Sequence, residues 1–298
     1  MGACEHGGIG AREHGGMGEE QEKGIWSPGG FSATSRFPEL EPQFAFLKRL
    51  ITFNYKTICD LGGIGANDQE ELSLKRALLF LCQKAVKTGS AAATLLERGF
   101  VEDANVSLRS MLEILIDVRF IRQDPRRATD FWDYLPYARF KRFQAMERCK
   151  TQYGPSPSTF ADYGRVKKQY ERLRPRFNGR GDWCELDRCS RANKVGLGDA
   201  YELMYRPFCD YGHSNPLIAV NYSRLTDEGL EIFRRAQSAS EFRLALVQAA
   251  NILHQVLDQL SQGFEVDLGA ELKSFEEDLS NVFDLRPDKP ENELNENA

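Results

Sequence analysis

The chain has 298 residues and the composition of an ordinary folded protein, 41% hydrophobic and 11% aromatic. No apolar stretch reaches the roughly 18 to 20 residues that a membrane-spanning helix needs, and the N-terminus lacks the basic and apolar segments of a signal peptide. We therefore expect a cytoplasmic protein without a membrane segment. Seven cysteines, an odd number without regular spacing, indicate reduced thiols.

The net charge of -5 hides an uneven distribution. Residues 119–180 contain sixteen Lys or Arg against six Asp or Glu, a local net charge of +10, so the remainder carries -15. Such a basic region attracts polyanions. The same charges could equally lie on solvated helix faces, paired with acids elsewhere.

Both ends of the chain have compositions that do not support a folded core. Residues 1–37 contain ten of the 25 glycines and a near-repeat, residues 5–10 and 13–18, while residues 284–298 are polar and acidic. We predict a disordered leader (1–37), one domain (38–283) and a disordered tail (284–298).

The first half of the domain shows helical periodicity almost throughout. Apolar residues recur at helical spacing over residues 38–61, over 68–98 with Asp68 as N-cap, and over 104–120. Only Gly99 and Phe100 separate the last two segments, which predicts a tight antiparallel hairpin. Residues 104–120 are apolar on nearly every side, so we expect this helix in the middle of a bundle.

The second half continues the pattern, with predicted helices at residues 126–150, 158–173, 186–195, 199–211, 240–262 and 272–283. Residues 174–182 are predicted to be irregular, and a short helical turn is expected from Thr226. Pro207 should break its helix next to Arg206. Because no segment alternates with period two, the sequence predicts an all-α antiparallel bundle with extra helices.

A narrow polar line runs down the central helix. Arg109, Glu113 and Asp117 follow one another at intervals of four residues and so share one helix face. They must pair internally or face a cleft. One reading is a buried ion-pair network that fixes helix register. The other is a supporting network, with Tyr205, that orients catalytic residues.

Arg206 and His213 are the candidate catalytic residues, with Asp210 beside them. An imidazole can move the proton of an RNA 2′-hydroxyl, and a guanidinium can stabilise charge on the attacked phosphate, so this pair suffices for RNA cleavage without a metal. No cofactor is predicted. The proposed RNA-binding residues are basic side chains of the neighbouring segment: Lys167, Lys168, Arg172, Arg174, Arg176 and Arg180.

A zinc site is the alternative use of the same histidine. Cys209 and His213 are four residues apart, as two ligands on one helix face would be, and Cys184 and Cys189 could complete a tetrahedral set. Buried free thiols that bind nothing are the simpler explanation.

Several of these features together resemble a known family. Arg98-Gly99-Phe100, the run Leu108-Arg109-Ser110-x-Leu112-Glu113, Trp183, and Tyr201-x3-Tyr205 leading to His213 resemble the mostly bacterial proteins of domain of unknown function 5677. The likeness covers about residues 40–262 and implies a fold rather than an activity.

More remotely, the chain resembles the HEPN superfamily of helical bundles, whose active members are metal-independent ribonucleases of toxin and phage-defence systems. Their motif, an Arg followed after four to six residues by a His, matches Arg206 and His213. The polar residue that usually follows the arginine is replaced by Pro207, although Asp210 could substitute. This resemblance implies a homodimer and an antitoxin or defence-system protein as partner.

Two hypotheses follow. The first is a HEPN-like endoribonuclease that acts in a toxin or phage-defence setting. The second is a non-catalytic helical binding or scaffold module whose polar cleft holds a protein or small-ligand partner.

Overall fold

The computed structural model describes residues 32–63, 65–149, 156–213, 215–226, 229–232 and 237–284. Most of the predicted leader and nearly all of the predicted tail lie outside these ranges. The described chain nevertheless begins before the predicted boundary at residue 38. A short helix, α1 (Ala33–Arg36), is capped by the Ser32 hydroxyl, and Ala33 is fully buried. The core therefore includes part of α1, which the composition had assigned to the leader.

Helices dominate the described chain, as predicted. In order they are α2 (Glu41–Leu61), α3 (Gln69–Glu97), α4 (Val101–Gln123), α5 (Arg126–Arg148), α6 (Tyr163–Phe177), α7 (Arg188–Lys194), α8 (Gly198–Ala200), α9 (Arg206–Gly212), α10 (Ala239–Phe264) and α11 (Gly269–Phe283). The 3-10 turns are Pro38–Leu40, Pro157–Thr159 and Pro216–Asn221. Within the described ranges, no helix is both long and apolar enough to cross a bilayer.

The central position of α4 is confirmed. It packs against α3, α7, α9 and α10, and the α3–α4 hairpin turns at Gly99, which has a φ of 82°. α3 packs tightly at Gly89, where an added Cβ would lie 3.2 Å from Leu253 Cδ1 of α10 and 3.3 Å from Met111 Cε of α4. Leu253 and Met111 are fully buried, so the three long helices interlock at this point.

Two local predictions were wrong. The helical turn expected from Thr226 is a small hairpin in which β1 (Ser223–Thr226) pairs antiparallel with β2 (Gly229–Ile232). Gly229, at the start of β2, has a φ of 127°, a conformation that favours glycine. The segment 174–182 is not irregular throughout, because α6 continues through Pro175 to Phe177. Burial of Phe177 against Tyr134 and Tyr137 stabilises this last turn.

The distal half of α5 and all of α6 form a hairpin with a core of its own. We call residues 137–148 of α5 together with α6 the arm. Its interior is aromatic, with Tyr137 and Tyr170 stacked at a centroid distance of 5.2 Å and Phe140 at 4.6 Å from Tyr170. The proximal half of α5 joins the main core instead, where Trp132 Nε1 donates to the Ser73 carbonyl. The arm is therefore a separately packed extension of the bundle.

Replacing Leu253 by Ala should lower the free energy of unfolding by about 2 to 5 kcal/mol, because it opens a cavity where α3, α4 and α10 meet. Leu244→Ala, on the same helix but 57% exposed, is the matched control and should change it by less than about 0.5 kcal/mol. Urea unfolding followed by circular dichroism measures both. Similar losses in the two variants would contradict this account of the core.

Candidate functional site

The exposed end of the polar line on α4 is a contact between an arginine and a histidine. Arg109 Nη1 lies 3.3 Å from His213 Nε2, and His213 is exposed at the C-terminal end of α9. Gly212 lies beside the same guanidinium, and a Cβ there would be 3.4 Å from Arg109 Nη1. A guanidinium only donates, so Nε2 accepts and the ring proton of His213 lies on Nδ1.

Tyr205 and Glu113 hold the Arg109 side chain in position. The guanidinium lies over the Tyr205 ring, 5.0 Å from its centroid, and its Nε is 3.4 Å from Glu113 Oε1. Tyr205 Oη donates to the same carboxylate oxygen at 2.8 Å. Burial and the Glu113 acceptor raise the pKa of Tyr205. The phenol therefore keeps its proton and remains a donor, which fixes the position of Glu113 and hence of Arg109.

The inner end of the line is a buried ion-pair network. Asp117, 8% exposed, accepts from Arg188 Nη1 at 2.8 Å and from Arg191 Nη1 at 2.7 Å. Arg191, 1% exposed, also pairs with Asp182, and its guanidinium lies over the Trp183 ring. Burial raises the pKa of Asp117, while the two guanidinium groups oppose this shift. The carboxylate is thus tolerated in the core only because α7 supplies both cations.

Arg188 joins the two ends. Besides Asp117, its guanidinium lies 3.8 Å from Glu113 Oε2 and 4.0 Å from Asp182 Oδ2. Glu113 therefore contacts cations on both sides, Arg109 and Arg188. The contacts run without a break from the buried core to the exposed imidazole of His213.

The sequence-predicted pair of Arg206 and His213 is not brought together. Arg206 is 63% exposed and pairs with Glu202 at 2.8 Å, and none of the described contacts joins it to His213. Seven residues along a helix separate two side chains by about 10 Å along its axis, too far for direct contact. Asp210 instead accepts from the Asn215 side chain at 2.8 Å. The arginine beside His213 is Arg109.

Pro207 does not break the helix as predicted. Residues Tyr201–Tyr205 form a π-helical turn, in which the Arg206 amide donates to the Tyr201 carbonyl five residues earlier. This wider turn leads directly into α9, where Pro207 occupies the first turn. Proline is tolerated there because its missing N–H is not needed.

The six proposed RNA-binding residues divide into two groups. Arg176 pairs with Asp130 and Asp133, and Arg180 pairs with Glu185. Lys167, Lys168, Arg172 and Arg174 are exposed on α6, and the described contacts give them no ion pair. Three further exposed basic residues without a described ion pair lie on α5: Lys141, Arg142 and Arg148. The free positive charge of this segment is therefore concentrated on the arm.

The zinc alternative is not supported. In the described part of the chain, no three or more His, Cys, Asp or Glu side chains are grouped as metal ligands. Leu186 N donates to the Cys184 thiol and Asn193 Nδ2 donates to the Cys189 thiol. Burial raises the pKa of the Cys209 thiol, so it stays protonated.

Sequence reasoning missed the cations that complete the network. Arg188 and Arg191 are three residues apart on α7, which Asp187 caps by accepting from the Ser190 amide. The sequence did contain a signal for them. A short capped helix carries two arginines on one face, and the central helix carries acids that need partners if they are buried.

The fold and the site together define a class: a helical bundle with an internal ion-pair network that ends in a contact between a half-buried arginine and an exposed histidine. The model of a family of unknown function, DUF5677, matches residues 75–230, which is 156 of the 298 residues. The chain belongs to this family, as its motifs predicted. Searches of the curated proteins and of the solved structures found no match.

Asp117→Asn should lower the free energy of unfolding by about 3 to 5 kcal/mol, since it leaves two guanidinium groups without their shared carboxylate. Asp278→Asn removes a surface pair with Arg49 and should cost no more than about 1 kcal/mol. Urea titration of both variants measures the difference. Equal stability of the two would show that the network is not a structural requirement.

Proposed function

We propose that the protein is a metal-independent endoribonuclease whose reaction centre is the pair of Arg109 and His213. The observation that carries this proposal is the 3.3 Å contact between the Arg109 guanidinium and the exposed His213 imidazole. His213 would act as general base, and Arg109 would bind the phosphate that is attacked. Arg206 would contact the RNA backbone further out, and Asp210 would hold the turn after His213 through Asn215.

The contact between Arg109 and His213 suits a reaction that begins with phosphate binding. When a phosphate takes the Arg109 guanidinium, Nε2 of His213 is released and accepts the proton of the adjacent 2′-hydroxyl. The 2′-oxygen then attacks phosphorus, the bond from phosphorus to the 5′-oxygen breaks, and the 5′-oxygen takes a proton from water. The products are a 2′,3′-cyclic phosphate and a 5′-hydroxyl, and His213 returns its proton to solvent.

The network behind the pair supports this role by fixing the position of Arg109. Partial burial lowers the pKa of Arg109, but Tyr205, Cys209 and Glu113 outweigh this effect and raise it. The guanidinium therefore stays charged and is held in place before RNA arrives. Such preorganisation is what a group that stabilises a charged transition state needs.

The arm supplies the long-range attraction for RNA in this proposal. Seven of its exposed basic residues have no described ion pair. Phosphate contacts of this kind give affinity without sequence preference and weaken as salt rises. The remote HEPN resemblance supports a homodimer, a toxin or phage-defence setting, and an antitoxin or defence-system protein as partner.

A non-catalytic binding module is the second candidate. A groove of about 320 Å³ lies between α9, the start of α4 and the start of α10, and two exposed leucines, Leu203 and Leu244, line it. Exposed apolar side chains beside a groove are typical of protein-binding surfaces. In this case RNA would remain intact, and a protein partner would cover both leucines.

Cleavage of a mixed RNA pool in EDTA tests the proposal. His213→Ala should lower kcat/KM by about 10² to 10⁴, and Arg109→Ala by about 10² to 10³, because the base and the phosphate contact are lost. Wild-type products should carry 2′,3′-cyclic phosphate ends. Arg206→Ala should lower the rate less than about tenfold, since its guanidinium is exposed.

His254→Ala is the control for loss of a histidine, because His254 on α10 contacts the Leu272 carbonyl and lies outside the proposed site. This variant should cut RNA at the wild-type rate. Intact RNA with wild-type protein, or equal cutting by the His213 and His254 variants, would contradict the proposed function.

Neutralising the arm should weaken RNA binding and its salt dependence. Changing Lys167, Lys168, Arg172 and Arg174 together to Gln removes four phosphate contacts, so the slope of log K against log salt should become smaller by about 3. The control changes four other exposed basic residues to Gln: Lys56, Lys84, Lys87 and Arg98. It alters net charge equally. Equal loss of affinity in both variants would show that the arm has no special role.

A further inference from the structure

A groove of about 650 Å³ lies between α2 and α3, on residues that belong neither to the ion-pair network nor to the arm. Ile51 and Tyr55 line it from α2, and Phe80 and Val86 line it from α3. Val86 is buried and Ile51 is half-buried, whereas Tyr55 and Phe80 are 56% and 48% exposed. The groove therefore has an apolar floor and two large aromatic side chains at its edges.

The aliphatic hydroxyl groups in the groove already donate to their own helices. Thr52 Oγ1 donates to the Lys48 carbonyl at 2.9 Å, and Ser90 Oγ donates to the Val86 carbonyl at 3.0 Å. These two side chains therefore have no free proton to offer a ligand. Burial of apolar surface must supply most of the free energy of binding in this groove.

The two aromatic side chains are held in place although they are exposed. The ring centroid of Phe80 lies 6.1 Å from that of Phe131 and 5.9 Å from that of Trp132, both on α5. The Tyr55 hydroxyl forms a hydrogen bond with the Cys59 thiol, one turn further along α2. An ordered aromatic side chain loses little conformational entropy when a partner covers it, and such residues often dominate the binding free energy of an interface.

The charged residues that line the groove are all positive. Lys84 and Lys87 follow Phe80 by four and seven residues, so all three share one face of α3. No aspartate or glutamate is among the lining residues, and the described contacts give neither lysine an ion pair. The groove is therefore complementary to a partner that combines apolar side chains with carboxylates.

A second copy of this chain and a lipid surface both fit the groove poorly. A two-fold interface here would bring the Lys84 and Lys87 side chains of both copies towards one another, and like charges weaken an interface. A flat lipid surface would reach Tyr55 and Phe80 but not the buried Val86. A groove between two packed helices instead has the shape that a third helix fills.

We propose that this groove binds an acidic amphipathic helix of a partner protein. The apolar face of the partner would lie between Tyr55 and Phe80, and its carboxylates would pair with Lys84 and Lys87. The lining residues of α3 extend over ten residues, about 15 Å along the axis, so roughly three turns of the partner would be in contact. The groove shares no residue with the proposed reaction centre, so this proposal does not depend on ribonuclease activity.

Two synthetic helical peptides that differ only in charge test the proposal. Each has about 18 residues, with leucines on one face, alanines on the opposite face, and either glutamates or lysines on both flanks. Fluorescence anisotropy of the labelled peptides measures their binding to the full chain. The glutamate peptide should bind at least about tenfold more tightly than the lysine peptide.

Phe80→Ala should weaken binding of the glutamate peptide by at least about tenfold, because it removes an aromatic contact at the edge of the groove. Leu72→Ala is the matched control, since Leu72 is equally exposed on the same helix but does not line the groove. This control should bind the peptide as the wild type does. Circular dichroism checks that Phe80→Ala, which loses its contact with Trp132, keeps its helix content.

Reversing the lysines tests the charge complementarity without touching the core. Lys84→Glu combined with Lys87→Glu should reverse the preference, so that the lysine peptide binds more tightly than the glutamate peptide. Both side chains are exposed, so the fold should be unaffected. Lys167→Glu combined with Lys168→Glu makes the same change of net charge on the arm and should retain the preference for the glutamate peptide.

Failure of the glutamate peptide to bind, or equal binding of both peptides, overturns the proposal. Sedimentation that shows dimers of the wild type but not of Phe80→Ala would assign the groove to a second copy and also overturn it. Binding of single-stranded RNA or of anionic vesicles that is lost on reversal of Lys84 and Lys87, but retained in the arm variant, would do the same. None of these results affects the proposed cleavage of RNA, which has its own test.

Discussion

The need to neutralise Asp117 in the core organises the rest of the site. A carboxylate buried on the central helix is tolerated only if cations reach it, and the two α7 arginines do so at 2.7 and 2.8 Å. Bringing α7 to α4 also brings Arg188 close to Glu113. Glu113 in turn fixes Tyr205 and Arg109, so a requirement of the buried core determines where a half-buried guanidinium meets the exposed His213.

The charges of the molecule are separated along this arrangement. The arm carries seven exposed basic residues without a described ion pair, and the pair at the end of the network combines one cation with one imidazole. In the proposed function these two surfaces would serve different parts of an RNA strand: the arm its backbone, and the pair the single phosphate that is attacked.

Local sequence signals specified the helices well. Asp68 begins α3, Gly99 turns the chain, and the apolar periodicity of residues 104–120 located the central helix. The site was only half predictable: the polar line on α4 was found from its spacing, but its pairing was not. Arg109 and His213 are 104 residues apart, whereas Arg206 is near His213 only in sequence. The four-residue strands were missed because so short a segment carries almost no alternating pattern.

The π-helical turn at Tyr201–Tyr205 has a consequence for how related chains are compared. Such a turn contains one residue more than an α-helical turn would, so losing a single residue there would rotate everything beyond it by about 100°. His213 would then leave Arg109 although both residues and the whole downstream motif remained in the sequence. For a related chain, the length of this turn is therefore as informative about the site as the presence of the arginine and the histidine.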